Sequence, residues 1–198
     1  MESNVLGLYG GTFDPPHKAH ISLAKAFLKA FPKASLTVMP CRIPPHKTRD
    51  ENGADGKSRL EMTRIAFEGL GEVSSYELEK EGTSYTYLTV MHLQSLYPDR
   101  KICLIMGQDN LEIIEKWREY EYLLSHCAFA VSVRGGEEIS PVIEELREKY
   151  GADITLLPME REDVSSTQIR EALKNGKSAK SLLTKEVYEY IKREGLYL

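Results

Sequence analysis

Short apolar runs alternate along the chain with longer segments in which apolar residues recur every three or four positions. The runs predict strands at about 5–9, 36–39, 73–78, 101–106, 128–133 and 154–157. The periodic segments predict helices at about 17–31, 58–70, 83–97, 140–150, 165–175 and 184–193, with shorter helical pieces between 110 and 124. Repeated strand and helix units predict an α/β fold, a doubly wound and mainly parallel sheet with helices on both faces.

Candidate caps mark the starts of four predicted helices. An N-cap side chain accepts a hydrogen bond from a backbone amide that has no partner within the helix. The candidates are Asp14, Ser58 with Glu61 as a capping box, Thr83 or Ser84, and Ser165 with Gln168 as a second capping box. The segment from Cys41 to Gly56 is rich in Pro, Gly and charge, and we predict a long binding loop there.

Size and composition are those of an ordinary globular chain. With 198 residues, of which 41% are hydrophobic and 28% charged, the chain is long enough for one domain with a substantial core. No internal repeat or low-complexity segment divides it. We therefore predict a single domain over residues 1–198, with a C-terminal helical part over 164–198.

Charge and cysteine content argue against several classes of protein. A formal net charge of −4 does not provide the broad basic surface that nucleic acids require, so no nucleic-acid partner is expected. No apolar run approaches the length of a membrane span and the N-terminal segment lacks signal-peptide features, which predicts a cytoplasmic protein with no membrane partner. Cys41, Cys103 and Cys127 lack a disulfide or zinc spacing and are expected to be reduced, buried thiols.

The segment around Gly10 and Gly11 has the order strand, glycine turn, helix. Backbone amides at a helix start point outward and carry partial positive charge. Glycines there let an anion approach the backbone without meeting a Cβ atom. Because the turn has neither the GKS or GKT of a P-loop nor a GxGxxG fingerprint, it predicts a phosphate site of another kind.

His17 and His20 lie three positions apart, on one face of the first turn of the predicted helix. Imidazoles donate hydrogen bonds to phosphate oxygens and stabilise charge that builds up during phosphoryl transfer. The pair supplies too few ligands for a protein-built metal site, and no sequence-local cluster supplies the others. For the pair taken alone, a structural role as capping histidines is the other interpretation.

A second anion site is predicted where Val164–Arg170 opens another helix. Ser165 and Gln168 cap that helix, and Arg170 lies one turn in. Taken alone, Arg170 would be read as a surface arginine. Two helix starts directed at phosphate in one small α/β domain indicate a triphosphate held at both ends.

The long loop is basic in an otherwise acidic chain. Its cations outnumber its carboxylates, with Arg42, His46, Lys47, Arg49, Lys57 and Arg59 against Asp50, Glu51 and Asp55. This balance favours a phosphate pocket over a nucleic-acid surface. A loop whose charges only keep it solvated is the alternative.

These motifs resemble those of a known family, in the family's order. Gly10 to His20 is similar to the GxFDPxHxGH signature of nucleotidyltransferases with the HIGH-type motif, and Val164 to Arg170 to their ISSTxxR motif. Three further segments resemble the PPHK, SYT and GxD elements of bacterial nicotinate-nucleotide adenylyltransferases, namely Ile43–Lys47, Ser84–Thr86 and Ile105–Asp109 with Trp117 downstream. The resemblance covers nearly the whole chain, and Ala19 departs from it by replacing a glycine.

The resemblance implies a Rossmann-like fold and transfer of AMP from ATP to the phosphate of nicotinate mononucleotide, giving deamido-NAD and pyrophosphate. It implies catalytic roles for His17, His20, Lys47 and Arg170. It assigns ATP binding to Gly10, Gly11, Thr12, His17, His20, Gly107, Asp109, Ser166 and Arg170. It assigns nicotinate mononucleotide binding to His46, Lys47, Ser84, Tyr85, Thr86 and Trp117. Mg²⁺ would arrive bound to ATP.

Within that assignment, Trp117 offers a flat face to the nicotinate ring, and Thr86 with nearby backbone amides would receive its carboxylate. For a lone tryptophan, simple core packing is the alternative interpretation. Ala19 adds a methyl group where the adenine or the phosphates would approach the helix, although alanine favours helix geometry over glycine by about 1 kcal/mol.

Other functions remain open on the sequence. A sibling enzyme, such as a phosphopantetheine adenylyltransferase or a cytidylyltransferase, usually carries threonine where His17 stands. A non-catalytic nucleotide sensor would have Ala19 as its only sequence support. A tRNA synthetase fragment is disfavoured by the acidic charge and the absence of a KMSKS-like loop. Assembly into a homo-oligomer is also open.

Overall fold

A computed structural model describes residues 4–43, 53–135, 138–160 and 162–198. Within these ranges one sheet contains β1 (Val5–Gly11), β2 (Ser35–Pro40), β3 (Glu72–Val73), β4 (Lys101–Gly107), β5 (Ala128–Arg134) and β6 (Asp153–Met159). The strand order is β3-β2-β1-β4-β5-β6. The order reverses direction between β1 and β4, which is the point where open α/β sheets bind ligands at the carboxyl ends of their strands.

The central strand pairs are parallel. β1 pairs with β4 in the register Leu6 to Ile102, and β4 pairs with β5 in the register Leu104 to Phe129. β5 pairs in turn with β6. Ile102 to Met106 are all buried, as expected for a strand covered on both faces. The predicted α/β fold with a parallel sheet and surrounding helices is confirmed.

The helices in the described ranges are α1 (Lys18–Ala30), α2 (Gly56–Ala66), α3 (Tyr76–Glu79), α4 (Thr86–Leu96), α5 (Gln108–Leu111), α6 (Tyr120–His126), α7 (Val142–Tyr150), α8 (Ser166–Lys174) and α9 (Lys185–Glu194). A 3₁₀ turn at Ile114–Lys116 lies between α5 and α6. The predicted capping box of α8 is confirmed, because the Ser165 hydroxyl accepts from the Gln168 amide and the Gln168 side chain accepts from the Ser165 amide.

Three of the predicted caps are wrong. The N-cap of α2 is Asp55, whose carboxylate accepts from the Ser58 amide at 2.7 Å, so Ser58 lies inside the helix that it was predicted to cap. The N-cap position of α4 is Tyr85, and the Ser84 hydroxyl accepts instead from the Arg42 amide. The Asp14 carboxylate accepts from groups far along the chain and does not cap α1.

The predicted strand at 73–78 is also wrong in most of its length. Strand structure is confined to Glu72–Val73, and α3 begins at Tyr76. The Ser75 hydroxyl donates to the Glu79 carboxylate at 2.6 Å, one turn along, which stabilises the helical conformation. Three apolar residues among six do not distinguish a strand from a short helix that such a bond supports.

Two compact units, each built from separate segments, make up the chain. The first unit comprises Met1–Gly10, Leu23–Thr37 and Tyr85–Arg161. The second unit comprises Gly11–Ser22, Val38–Ser84 and Glu162–Leu198. The single-domain organisation predicted from the sequence remains a prediction.

Each unit buries its own apolar side chains. Phe27 and Phe129 are fully buried in the first unit, and Phe67 and Ile169 in the second. The three cysteines are free, and all three are buried, as predicted. Among the helices of the described ranges, none has both the length and the apolar character needed to cross a membrane.

Candidate active site

We call residues Gly11–His20 the signature loop, and all of them belong to the second unit. Phe13 adopts a left-handed backbone conformation with φ of 49°, which is costly for a residue with a side chain. Its ring is 1% exposed and packs edge-on against His20 at 5.1 Å and against Phe67 at 5.6 Å between ring centroids. A Cβ atom on Gly11 would lie 2.8 Å from this ring, so the packing of Phe13 requires glycine at position 11.

The two histidines stack on each other. Their ring centroids are 3.7 Å apart, with 22° between the ring planes. His17 immediately precedes α1, and its backbone amide donates to Nδ1 of His20 at 3.1 Å. A ring nitrogen that accepts carries no proton, so the proton of neutral His20 lies on Nε2, where it can be donated to an anion. The pair thus combines a capping contact with a donor, and the two interpretations from the sequence do not exclude each other.

Asp14 anchors the signature loop to two distant segments. The residue is only 7% exposed, and its Oδ1 accepts from the Ala54 amide at 3.0 Å and from the Tyr197 hydroxyl at 2.6 Å. The peptide bond that follows it, to Pro15, is cis. A buried carboxylate is stable in a folded protein when hydrogen-bond donors satisfy its oxygens.

The two anion sites predicted from the sequence lie together in the second unit. The Ser166 hydroxyl, at the first position of α8, donates to the Pro15 carbonyl oxygen at 2.9 Å. A guanidinium nitrogen of Arg170 donates to the Asp14 carbonyl oxygen at 2.8 Å. Both residues predicted to bind phosphate therefore also hold the backbone of the signature loop.

Arg59 is buried in α2, which corrects its assignment to the predicted basic loop. It is 5% exposed, and one of its guanidinium nitrogens donates to the carbonyl oxygens of Thr12 at 2.8 Å and Cys41 at 2.7 Å. The residue belongs to α2, and its charge serves backbone carbonyls in the interior of the second unit. The Cys41 thiol donates to the Thr12 hydroxyl at 3.7 Å, and burial raises the pKa of that thiol.

Ser84 belongs to the second unit, whereas Tyr85 and Thr86, the other members of its motif, belong to the first. Its amide donates to the Ile43 carbonyl oxygen at 2.9 Å, and its hydroxyl accepts from the Arg42 amide at 3.0 Å. In this structure the Ser84 amide is therefore engaged with backbone and is not available to a carboxylate. His46 and Lys47, predicted to contact the nucleotide substrate, lie outside the described residues.

The first unit holds the remaining ATP residues predicted from the sequence. Gly10, near the end of β1, is exposed, and Gly107 ends β4. A Cβ atom on Gly107 would overlap the carboxylate of Asp109, so glycine is required for Asp109 to adopt its position. The Gln108 side chain accepts from the Ser140 amide and donates to the Glu138 carbonyl oxygen, both at 3.1 Å, which anchors the turn containing Asp109.

Three of the predicted nicotinate residues, Tyr85, Thr86 and Trp117, belong to the first unit. Trp117 is half-buried just after the 3₁₀ turn, and Thr86 begins α4. The guanidinium of Arg118 lies 5.1 Å from the centroid of the Tyr85 ring, which connects the segment of Trp117 to the start of α4. A helix start beside an aromatic and a cation is a suitable environment for a flat, anionic ring.

The roles of three residues that contact the signature loop or the segments of Tyr85 and Trp117 were not identified from the sequence. Arg118 follows the tryptophan but belongs to none of the motifs. Arg59 was counted among the cations of the basic loop, although the predicted helix at 58–70 already included it. Tyr197 carries no local signal at all, because its partner Asp14 is 183 residues away along the chain.

Comparisons with known proteins identify the family of this chain. A family model described as cytidylyltransferase-like matches residues 8–172, and this is the class that the fold and the clusters define. The probable nicotinate-nucleotide adenylyltransferase of Clostridium tetani is 34% identical over 195 residues, which cover 96% of this chain and 97% of that protein. That of Desulfatibacillum aliphaticivorans is 37% identical over 224 residues, covering 98% and 99%. The chain therefore belongs to the nicotinate-nucleotide adenylyltransferase family of nucleotidyltransferases.

Solved structures add a likeness in fold. The structure of Plasmodium falciparum nicotinic acid mononucleotide adenylyltransferase complexed with NaAD is similar with a TM-score of 0.76 and 22% sequence identity. The aligned region covers 98% of this chain and 97% of that chain. The Rossmann-like architecture predicted from the sequence is confirmed.

Proposed function

We propose that the protein transfers the AMP moiety of ATP to the phosphate of nicotinate mononucleotide, producing deamido-NAD and pyrophosphate. A phosphate oxygen of the mononucleotide forms a bond to the α-phosphorus of ATP as the bond from that phosphorus to the bridging oxygen breaks. The leaving pyrophosphate takes the bonding electrons. Because the nucleophile is already an anion, no serine or cysteine has to be activated, and catalysis rests on alignment and charge neutralisation.

One observation carries the proposal. The signature loop and the start of α8 are held together by the bonds from Arg170 to Asp14 and from Ser166 to Pro15. The signature loop leads into the start of α1, and Ser166 begins α8. The backbone amides and the partial positive charge at a helix start favour an anion. Because the two helix starts are joined by these bonds, they support one extended polyphosphate ligand over two separate monophosphates.

The stacked histidines suit the reacting end of that ligand. Two imidazolium rings 3.7 Å apart would repel each other, so a neutral pair, or a singly charged pair beside an anion, is the favoured arrangement. His20 can donate from Nε2 to an oxygen of the α-phosphate or of the leaving group. Such a donor stabilises the charge that develops on the phosphoryl oxygens in the transition state.

The cluster in the first unit suits the pyridine end. We assign the ring of nicotinate mononucleotide to Trp117 and its carboxylate to the start of α4 at Thr86. Arg118, held over Tyr85, adds a cation that favours a carboxylate over a neutral carboxamide. Lys47 and His46 remain our candidates for the phosphate of this substrate.

We further propose that ATP acts as its magnesium complex, with the metal as part of the substrate. In the described part of the chain, no group of three or more His, Cys, Asp or Glu side chains is arranged to hold a metal ion. A magnesium ion that is held by the phosphate oxygens of ATP does not require such a group of side chains. The cytoplasmic location predicted from the sequence remains part of this proposal, and assembly into a homo-oligomer remains open.

A substrate panel tests the function. The purified chain is given ATP and magnesium with nicotinate mononucleotide, nicotinamide mononucleotide or phosphopantetheine, and pyrophosphate release is measured. We expect the fastest release with nicotinate mononucleotide and a dinucleotide product of the corresponding mass. Preference for phosphopantetheine would identify a sibling transferase, and ATP binding without release in any reaction would identify a nucleotide sensor.

A further inference from the structure

Tyr197, in the turn after α9, reaches the centre of the signature loop. Its hydroxyl donates to Oδ1 of Asp14 at 2.6 Å and lies 4.0 Å from the sulfur of Met62, which is fully buried in α2. Burial, together with the neighbouring Asp14 carboxylate, raises the pKa of the Tyr197 hydroxyl. The group therefore stays protonated at neutral pH, which a donor to a carboxylate must be.

The backbone conformation of Tyr197 is one that residues with a side chain rarely adopt. The residue has a φ of 61°, in the left-handed region that side chains disfavour. Phe13, the residue next to its partner Asp14, also has a positive φ, of 49°. Such conformations persist where surrounding contacts determine them, and they occur preferentially in functional segments.

One oxygen of the Asp14 carboxylate connects the signature loop to two other segments. It accepts from Tyr197 and from the Ala54 amide, while its own residue carries the carbonyl oxygen that Arg170 binds. Moving the carboxylate therefore shifts the carbonyl to which Arg170 donates and the loop that leads to His17. Small displacements of a reacting constellation have large effects on rate.

We propose that Tyr197 is a positioning residue that fixes the signature loop in its catalytic geometry through Asp14. The inference rests on the proposed adenylyl transfer for its kinetic consequence, but not for its structural one. Tyr197 touches no reacting atom in this assignment. Its effect passes through Asp14 to the loop that carries His17 and His20.

The test compares Tyr197→Phe with Tyr122→Phe. Tyr122 donates from its hydroxyl to Oε1 of Gln94, also at 2.6 Å, in the first unit, so this control removes a bond of equal length between α6 and α4. We expect kcat of Tyr197→Phe to fall by about tenfold, and kcat of Tyr122→Phe to stay within about twofold of wild type. Thermal unfolding midpoints of both variants are measured, because a merely structural role would lower the midpoint and leave kcat unchanged.

Asp14→Ala supplies the coupling. If Tyr197 acts through the carboxylate, Tyr197→Phe has a smaller effect on kcat in the Asp14→Ala background than in wild type, because Asp14→Ala has already removed the acceptor of the Tyr197 hydrogen bond. Equal effects in both backgrounds would overturn the route through Asp14. A kcat of Tyr197→Phe equal to that of the Tyr122→Phe control would overturn the positioning role.

Amide hydrogen exchange at Ala54 provides a readout that does not depend on activity. The Ala54 amide donates to the same carboxylate oxygen as Tyr197, so we expect faster exchange at Ala54 in Tyr197→Phe and unchanged exchange in Tyr122→Phe. Unchanged exchange at Ala54 in both variants would contradict the inference. An inactive wild-type chain would reject the proposed function, and the exchange result would still decide the role of Tyr197.

Discussion

Arg170 donates a hydrogen bond of 2.8 Å to the backbone carbonyl oxygen of Asp14, a residue 156 positions earlier in the chain. The bond fixes one nitrogen of a guanidinium that also carries other N–H donors in the same plane. A single side chain can therefore hold the signature loop and present donors to a polyphosphate. The proposed double use favours an arginine over a lysine at this position.

Arg170→Lys tests that geometry. The variant keeps the positive charge but loses the planar arrangement of donors, so we expect kcat to fall by at least about tenfold. The control is Lys174→Ala, which removes an exposed cation from the last turn of the same helix and should leave steady-state kinetics unchanged. Wild-type kinetics in Arg170→Lys would show that charge alone is sufficient.

His20→Ala removes the proposed donor to the developing charge. At saturating substrates we expect kcat to fall by about 100-fold, in the range found for loss of one preorganised hydrogen-bond donor. Pyrophosphate release measures the effect. His126→Ala, an exposed histidine of α6, is the matched control. Unchanged turnover in His20→Ala would remove this residue from the mechanism.

Trp117 provides its own optical probe, since it is the one tryptophan in the sequence. If its ring stacks on the pyridine, nicotinate mononucleotide should quench the intrinsic fluorescence, while ATP alone should not. Trp117→Ala should raise KM for the mononucleotide by about three- to tenfold, with KM for ATP unchanged. An equal rise in both constants would contradict the assignment. Tyr97→Ala, an exposed aromatic of the same unit, is the control.

Asp55 stabilises the start of α2. We expect Asp55→Ala to lower the free energy of unfolding by about 1 kcal/mol, while Asp55→Asn retains most of the cap because its carboxamide oxygen also accepts. Urea unfolding at pH 7 measures both differences, and near-wild-type stability of Asp55→Ala would show that the bond to the Ser58 amide contributes little.

The same cap should depend on pH. The bond from the Ser58 amide lowers the pKa of the Asp55 carboxyl in the folded state. Its contribution is therefore complete above the ordinary pKa of aspartate, about 3.9, and is lost as the pH falls through the lowered folded-state value. The stability gap between wild type and Asp55→Ala should shrink in acid. A gap that stays constant down to acidic pH would exclude a titrating cap.

Features with a local cause were predictable from the sequence. The central strand at Ile102–Met106 is continuously apolar, and the capping box of Ser165 and Gln168 depends on residues three positions apart. Collinear motifs also identified the family. These signals depend on neighbouring residues, so no knowledge of the folded chain was needed to read them.

Features caused by distant partners were not predictable. Asp14 has the residue type of an N-cap, but α1 begins only at Lys18, and the Asp14 carboxylate accepts from the Ala54 amide and the Tyr197 hydroxyl in the folded chain. Arg59 lies in a basic stretch, yet the carbonyl oxygens of Thr12 and Cys41 hold it in the interior. In both cases a long-range hydrogen bond to a buried group outweighs the local tendency, because leaving such a group without a partner is costly.

Gly10 and Gly11 are adjacent, but packing within the fold requires glycine only at position 11. Position 11 must be glycine for the fold itself, since a methyl group would strike the Phe13 ring. A methyl group at position 10 would meet no atom of the described chain within 4 Å. Substituting side chains of increasing size at position 10 should therefore leave the fold intact. Any loss of nucleotide affinity in such a series would show how closely the nucleotide approaches the backbone at position 10.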